Sequence, residues 1–256
     1  MTNNSTTTPT TVATNANAPT LEVRRAHERF HTDIGWLDSW HSFSFGKHYH
    51  PNELGHGLLI VSNDDRVAPG GGFGAHPHQN MEIVTWVLDG KLEHEDSAGN
   101  HGILYPGLAQ RMSAGTGIVH SEQNASTTEA VHFVQMWVVP SKVGVEPGYE
   151  QTDVNDALAE GGWVPVASGK GHAGAVHLHQ EGAVMYVARM AADETLDVPK
   201  APYVHLFVAK GTVAVGDATY NAGDALRVTG EADLSVNAVE ASELIVWATD
   251  AAARRG

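Results

Sequence analysis

Met81-Glu82-Ile83-Val84-Thr85-Trp86-Val87-Leu88 is an apolar run closed by Asp89-Gly90, after which Lys91 to Asp96 leads into Ser97-Ala98-Gly99-Asn100. Short runs bounded by Gly-bearing turns read as consecutive β-hairpins. The same texture continues outward in both directions, with few stretches that repeat at 3.6 residues. Further strands are predicted at Gly57 to Asn63, Ala130 to Val139, Val184 to Met190, Tyr203 to Ala209, Thr212 to Val215 and Glu243 to Thr249. One exception is Thr152 to Glu160, polar and Ala-containing, where one short helix is expected. Evenly spaced short strands without helical crossovers point to an all-β fold of antiparallel barrels or jelly rolls.

Histidine pairs flank the hairpins. Upstream stands Gly74-Ala75-His76-Pro77-His78, and forty-two residues after His78 comes His120, within Gly115-Thr116-Gly117-Ile118-Val119-His120-Ser121-Glu122. On an extended strand, side chains at i and i+2 leave on one face, so His76 points with His78 and His120 with Glu122. Placed on facing strands, the two couples would bring three imidazoles and one carboxylate together. That donor set suits a mid-to-late first-row divalent ion such as iron, nickel, copper, manganese or zinc, and a six-coordinate ion would keep two positions open for chemistry. The glycines before each couple allow the chain to bend at a barrel rim. His94, His101 and His132 lack a partner pattern and are expected at the surface or just outside the donor set. Glu82, four residues after His78, is expected to hydrogen-bond a ligand imidazole from outside or to face solvent.

Composition narrows the function classes. A chain of 256 residues favours two modest domains or one large all-β domain. No apolar run approaches the roughly eighteen residues of a membrane-spanning helix. The absence of cysteine excludes disulfides, thiolate metal sites and cysteine nucleophiles, and agrees with a reducing, cytoplasmic setting. A net charge of −15, with cations paired only at Arg24-Arg25 and Arg254-Arg255, disfavours direct nucleic-acid binding. Residues 1–20 hold eight Thr, four Asn and no charge, which reads as a disordered polar tail without the features of a secretory signal. Twelve of the sixteen His lie in residues 1–143, so a metal-binding N-terminal domain over 21–143 and a C-terminal domain over 144–256 are expected. His177-Leu178-His179 is read as structural, because nothing after Gly223-Asp224-Ala225 supplies a second histidine motif.

The two histidine segments resemble the two cupin motifs, as G-x5-H-x-H-x3-E from Gly70 to Glu82 and G-x2-H-x3-N from Gly117 to Asn124. The gap from Glu82 to Gly90 is one residue longer than the general cupin pattern, and Gly115 stands where that pattern has proline. Both departures, and a Glu two residues after the second-motif His, are similar to the pirin family, in particular to bacterial pirin-like quercetinases. Gly35 to Phe45 (GWLDSWHSFSF), Phe73 to His78, Glu93 to Gly99 (EHEDSAG) and Met112 to Glu122 (MSAGTGIVHSE) carry the same likeness, which covers residues 21 to about 150 and the rest diffusely.

The resemblance implies a bicupin of two stacked barrels with one metal site, its ligands falling on His76, His78, His120 and Glu122. It implies that Glu82 is not a ligand, and that a degenerate C-terminal cupin covers the first barrel and helps wall its pocket. The implied activity is metal-dependent dioxygenation that opens the heterocyclic ring of a flavonol such as quercetin. Dioxygen would be the co-substrate, carbon monoxide a product and Glu122 the general base. The metal expected first is Fe2+, with Ni, Cu, Mn, Co or Zn as alternatives, and a monomer is expected. Two other readings remain: a metal-containing regulatory protein that binds a partner according to redox state, and a cupin enzyme acting on another enol-bearing aromatic. Phe43, Phe45, Phe73 and Trp86 are the aromatic candidates for the pocket mouth, although core packing is the commoner fate of such residues.

Overall fold

The run that opens the hairpin series forms the strand Glu82–Asp89, buried at every position but the last. A strand with one wet face alternates; this one has none, because it separates two cores. Val84, Trp86 and Leu88 pack into a cluster shared by the two halves of the chain, whereas Ile83 and Val87 point the other way, into the first barrel. Ser242–Thr249 is its counterpart in the second half. Ile245 and Trp247 enter the shared cluster, and Leu244, Val246 and Ala248 line the second barrel.

In this computed structural model, which describes residues 18–253, those two strands lie inside large sheets of seven strands each. The first large sheet runs Gly148–Asp153, Leu108–Ser113, Glu82–Asp89, Val131–Val138, Leu59–Val67, Leu37–His41, Phe30–Asp33. It is completed into a barrel by a small sheet ordered Gly72–His78, Ile118–Asn124, Leu92–Asp96, His101–Leu104, whose Leu92 and Leu104 share a core with Leu37, Val67 and Phe133 of the large one. The second barrel repeats the plan. Its large sheet runs Thr20–Arg24, Ala225–Thr229, Tyr203–Lys210, Ser242–Thr249, Ala183–Met190, Val164–Ser168, Val176–His177, and its small one Thr195–Asp197, Ser235–Ala238, Thr212–Val215, Ala218–Asn221. The chain is thus an all-β bicupin, antiparallel except where Val164–Ser168 meets Val176–His177. The two large sheets pack face to face through the shared cluster, where Trp86 donates to Glu243 Oε1 at 2.7 Å.

Two strands cross the expected boundary at 143/144. Thr20–Arg24 pairs with Ala225–Thr229 in the second barrel, and Gly148–Asp153 pairs with Leu108–Ser113 in the first. Of the helix expected over 152–160, only Asn155–Ala159 is helical, since Thr152 and Asp153 end that strand. The polar tail expected over 1–20 falls on residues 1–17, which lie outside the described residues together with Arg254-Arg255, while Thr20 already belongs to a strand. Among the described residues, no helix is long and apolar enough to cross a membrane.

Candidate metal centre

The strand Gly72–His78 pairs antiparallel with Ile118–Asn124, setting His76 directly opposite His120 and Ile118 opposite His78. Residues directly opposite in such a pair share a face, so the imidazoles meet on the inner side of the small sheet. The two couples therefore sit on adjacent hydrogen-bonded strands, not on facing strands as the sequence suggested. A register shift between His120 and Glu122 then sets Glu122 opposite Phe73. Along its other edge the same strand pairs with Leu92–Asp96, which places Asp96 opposite His120 and His94 opposite Glu122.

Ring centroids of His76, His78 and His120 lie 4.8 Å (76 to 78), 4.4 Å (76 to 120) and 4.9 Å (78 to 120) apart. One donor atom from each comes within 4.8 Å of the other two. A second group, His94, His120 and Glu122, meets the same criterion, so Glu122 joins the imidazoles through His120. His76 Nδ1–H donates to Gly74 O at 2.8 Å, leaving its Nε2 free. The Nε2 atoms of His78 and His120 are buried without a hydrogen-bond partner. Burial, followed by the neighbouring imidazoles, lowers the pKa of His120 to about 2, and burial and His76 lower that of His78 to about 4. Neutral imidazoles with unpartnered nitrogens are what a divalent cation requires, and buried orphan nitrogens are otherwise costly, so the donor set fits a divalent metal.

Glu122 is 2% exposed and accepts from Gln135 Nε2 at 2.6 Å and Thr85 Oγ1 at 3.5 Å. Desolvation outweighs those donors and pushes its carboxyl up to about 7. Together with His76 and His78 it borders a cavity of about 470 Å³. Trp36 and Phe73, in edge-to-face contact at 5.3 Å, and Phe45 and Trp137, at 5.5 Å, form its aromatic walls. Ser39, His41, Asn63, Asp65 and Gln135 make a polar side, where Asp65 accepts from Ser39 and burial raises its carboxyl to about 7.

Of the expected mouth aromatics, Phe45 and Phe73 line the cavity. Phe43 and Trp86 instead pack in the inter-barrel cluster. Every lining residue lies between Trp36 and Trp137, so the C-terminal barrel backs the site without walling its cavity, contrary to expectation. Glu82 neither meets the imidazoles of the site nor faces solvent. It is fully buried at the seam, where Oε2 accepts from Ser113 Oγ at 2.9 Å and His179 N at 3.1 Å. At the same seam His177 offers its carbonyl to Arg111 Nε at 2.7 Å. His101 is exposed beside Glu93, and buried His132 pairs with Asp64.

His94 lies just outside the donor set, one of the two places expected for it, but it does have a partner pattern. It is 1% exposed, with Nδ1 3.5 Å from His120 Nδ1, Nε2 3.4 Å from Asp96 Oδ2, and the Tyr149 ring tilted against it at 4.9 Å. The signal was present in sequence, since His94-Glu95-Asp96 has the same i, i+2 spacing as the other couples. Tyr149 arrives on Gly148–Asp153, a polar edge strand without the alternation that marks its neighbours.

Family models agree with this architecture. The Pirin model matches residues 21–138, and the quercetinase C-terminal cupin domain matches 165–247. A Mycobacterium bovis protein provisionally named a quercetin 2,3-dioxygenase is 51% identical over 89% of this chain and 94% of its own length. Quercetin 2,3-dioxygenase of Escherichia coli K12 is 40% identical over 89% of this chain and 97% of its own. Among solved structures, the bacterial pirin YhhW of Escherichia coli in complex with nickel(II) is similar with a TM-score of 0.84 and 38% identity, covering 91% of this chain and all of that one. Two matched domain models and full-length relatives place this chain in the pirin family of cupin proteins.

Proposed function

We propose that the protein is a metal-dependent dioxygenase that opens the heterocyclic ring of a flavonol such as quercetin, with His76, His78, His120 and Glu122 holding an Fe2+ ion. The observation that carries this reading is the juxtaposition of three imidazoles and a buried carboxylate with a cavity of about 470 Å³ walled by Trp36, Phe45, Phe73 and Trp137. That volume lies within the usual range of small-molecule sites, and flat apolar walls suit a planar aromatic. The names of the relatives point to the same substrate class.

A divalent ion bound there supplies Lewis acidity, lowering the pKa of the flavonol 3-hydroxyl. Glu122 takes the proton of that hydroxyl on a carboxylate oxygen. Gln135 and Thr85 fix the orientation of that carboxylate. The aromatic walls hold the ring system and keep water from it. Overall, one dioxygen is consumed per flavonol, both of its atoms entering the ring-opened ester, and the carbon that carried the hydroxyl leaves as carbon monoxide.

The test adds quercetin to metal-loaded protein and follows loss of the flavonol absorbance band under air and under nitrogen, with elemental analysis of the same sample. Turnover should require air and release carbon monoxide. Glu122→Gln should slow it by about 100-fold or more, and His76→Ala should abolish it. Unchanged turnover in both variants, or full activity after chelation, contradicts the proposal.

A further inference from the structure

We infer that Asp96 and His94 form an outer relay that fixes the tautomer of His120 and so presents its bare Nε2 to the metal. The inference rests on the metal reading above, and it is built from one anchored group inward. Asp96 Oδ1 accepts from Ala98 N at 2.9 Å, Asn100 N at 3.0 Å and Asn100 Nδ2 at 3.1 Å, and Oδ2 accepts from Asn100 Nδ2 at 2.9 Å. A carboxylate held by that many donors is an acceptor only. The His94 nitrogen 3.4 Å from Asp96 Oδ2 must therefore be the donor, Nε2–H.

A neutral imidazole that donates from Nε2 has a lone pair on Nδ1. That lone pair lies 3.5 Å from His120 Nδ1. Two lone pairs facing each other would repel, so His120 carries its proton on Nδ1 and donates to His94. His120 Nε2 is then the unprotonated nitrogen, and it is the atom left buried and unpartnered beside His76 and His78. The carbonyl of Gly74 does the same for His76 in one step. For His120, in the middle strand of the three, the acceptor is a side chain from the neighbouring strand.

The relay is held in place from beyond the histidine motifs. Tyr149 packs its ring on His94 and donates from Oη to Gln151 at 3.1 Å. Gly102 makes room for it, because a Cβ there would collide with Tyr149 Oη. Asp96, His94 and Tyr149 are positioning residues; none of them lines the substrate cavity.

Two measurements separate the relay from a merely structural role. In the first, 15N shifts of the metal-free protein report the His120 tautomer. Nδ1–H is expected, and an Nε2–H tautomer overturns the relay whether or not metal binds. In the second, Co2+ affinity is measured by chelator competition in the parent, His94→Phe and His94→Gln, with the unfolding midpoints of the metal-free proteins checked for equality. His94→Phe keeps the ring but removes the acceptor and should bind about 10- to 100-fold more weakly. His94→Gln restores a carbonyl acceptor for His120 Nδ1–H and should recover most of that loss, with the visible Co2+ bands of the parent. Parent-like affinity in His94→Phe overturns the relay. Failure of the Gln rescue with shifted Co2+ bands overturns it too, making His94 a ligand. If the parent itself binds no metal, the metal reading fails while the tautomer measurement still decides the relay.

Discussion

The two barrels share one plan, seven strands against four, yet part of the first interior is polar where the second is apolar. The second is filled by Leu206, Val208, Val213, Val236, Leu244 and Val246, each no more than 1% exposed. At comparable inward positions the first carries Asn63, Asp65, Thr85, Gln135 and Glu122, and it keeps a cavity of about 470 Å³ beside its histidines. Close packing is the default for a barrel of this size, and polar groups at inward positions are what leave one open. The closed barrel backs the open one through the shared apolar cluster at the seam.

Removing a donor from the open barrel should have the largest effect. His120→Ala is expected to weaken metal binding by more than about 100-fold, read by elemental analysis after dialysis against a weak chelator. His179→Ala at the seam should retain metal at the parental level. Equal losses in both would dissolve the contrast between the barrels.

Next in size is the seam. Trp247 is 1% exposed and donates to Met136 Sδ across the two large sheets. Trp247→Ala should cost about 3–5 kcal/mol in urea unfolding. Phe73→Ala, on the cavity wall, should cost clearly less stability and should raise the KM for the flavonol instead. A large stability loss at Phe73 would mean that the open barrel is packed as tightly as the closed one.

The polar interior of the open barrel should also show a pH signature. Asp65, with its carboxyl raised to about 7 from 3.8, binds its proton more tightly in the folded chain than in the unfolded one. Its stabilising contribution is complete below about pH 3.8 and is lost as pH rises towards about 7. Metal-free Asp65→Asn should therefore gain stability over the parent at pH 8, by on the order of a few kcal/mol, with the difference shrinking towards pH 4. An unchanged difference across that range would show that burial does not raise the Asp65 carboxyl.

A smaller effect is expected where the first barrel departs from the general cupin pattern. Gly115 has φ +48°, and a Cβ there would strike the carbonyl of Val145. Proline, fixed near φ −65°, is excluded at this turn, and Gly115→Ala should cost about 1–3 kcal/mol in the same unfolding assay. A neutral substitution would show that the turn before His120 yields freely.

Much of this was legible because strands write their faces in a period of two. The hairpins from Met81 to Asn100 and the couples His76/His78 and His120/Glu122 follow from spacing alone. Spacing does not report which strand lies beside which. The couples proved adjacent, and the pairing of His120 with Asp96 was set by a register invisible along the chain. For the same reason the strand Thr20–Arg24, joined to residues two hundred positions away, was not anticipated, its residues being divided between the tail and the first domain. Trp86 and Phe45 show the remaining limit. Both are aromatic and near the motifs, but one faces the seam and the other the cavity, and only the layout of both barrels separates them.

The most direct test of the account is anomalous diffraction at the metal absorption edge from crystals of metal-loaded protein. One peak per chain is predicted, within bonding distance of the Nε2 atoms of His76, His78 and His120 and beside Glu122, with none in the second barrel. A loaded crystal without a peak between those imidazoles, or with its ion held elsewhere, would contradict it.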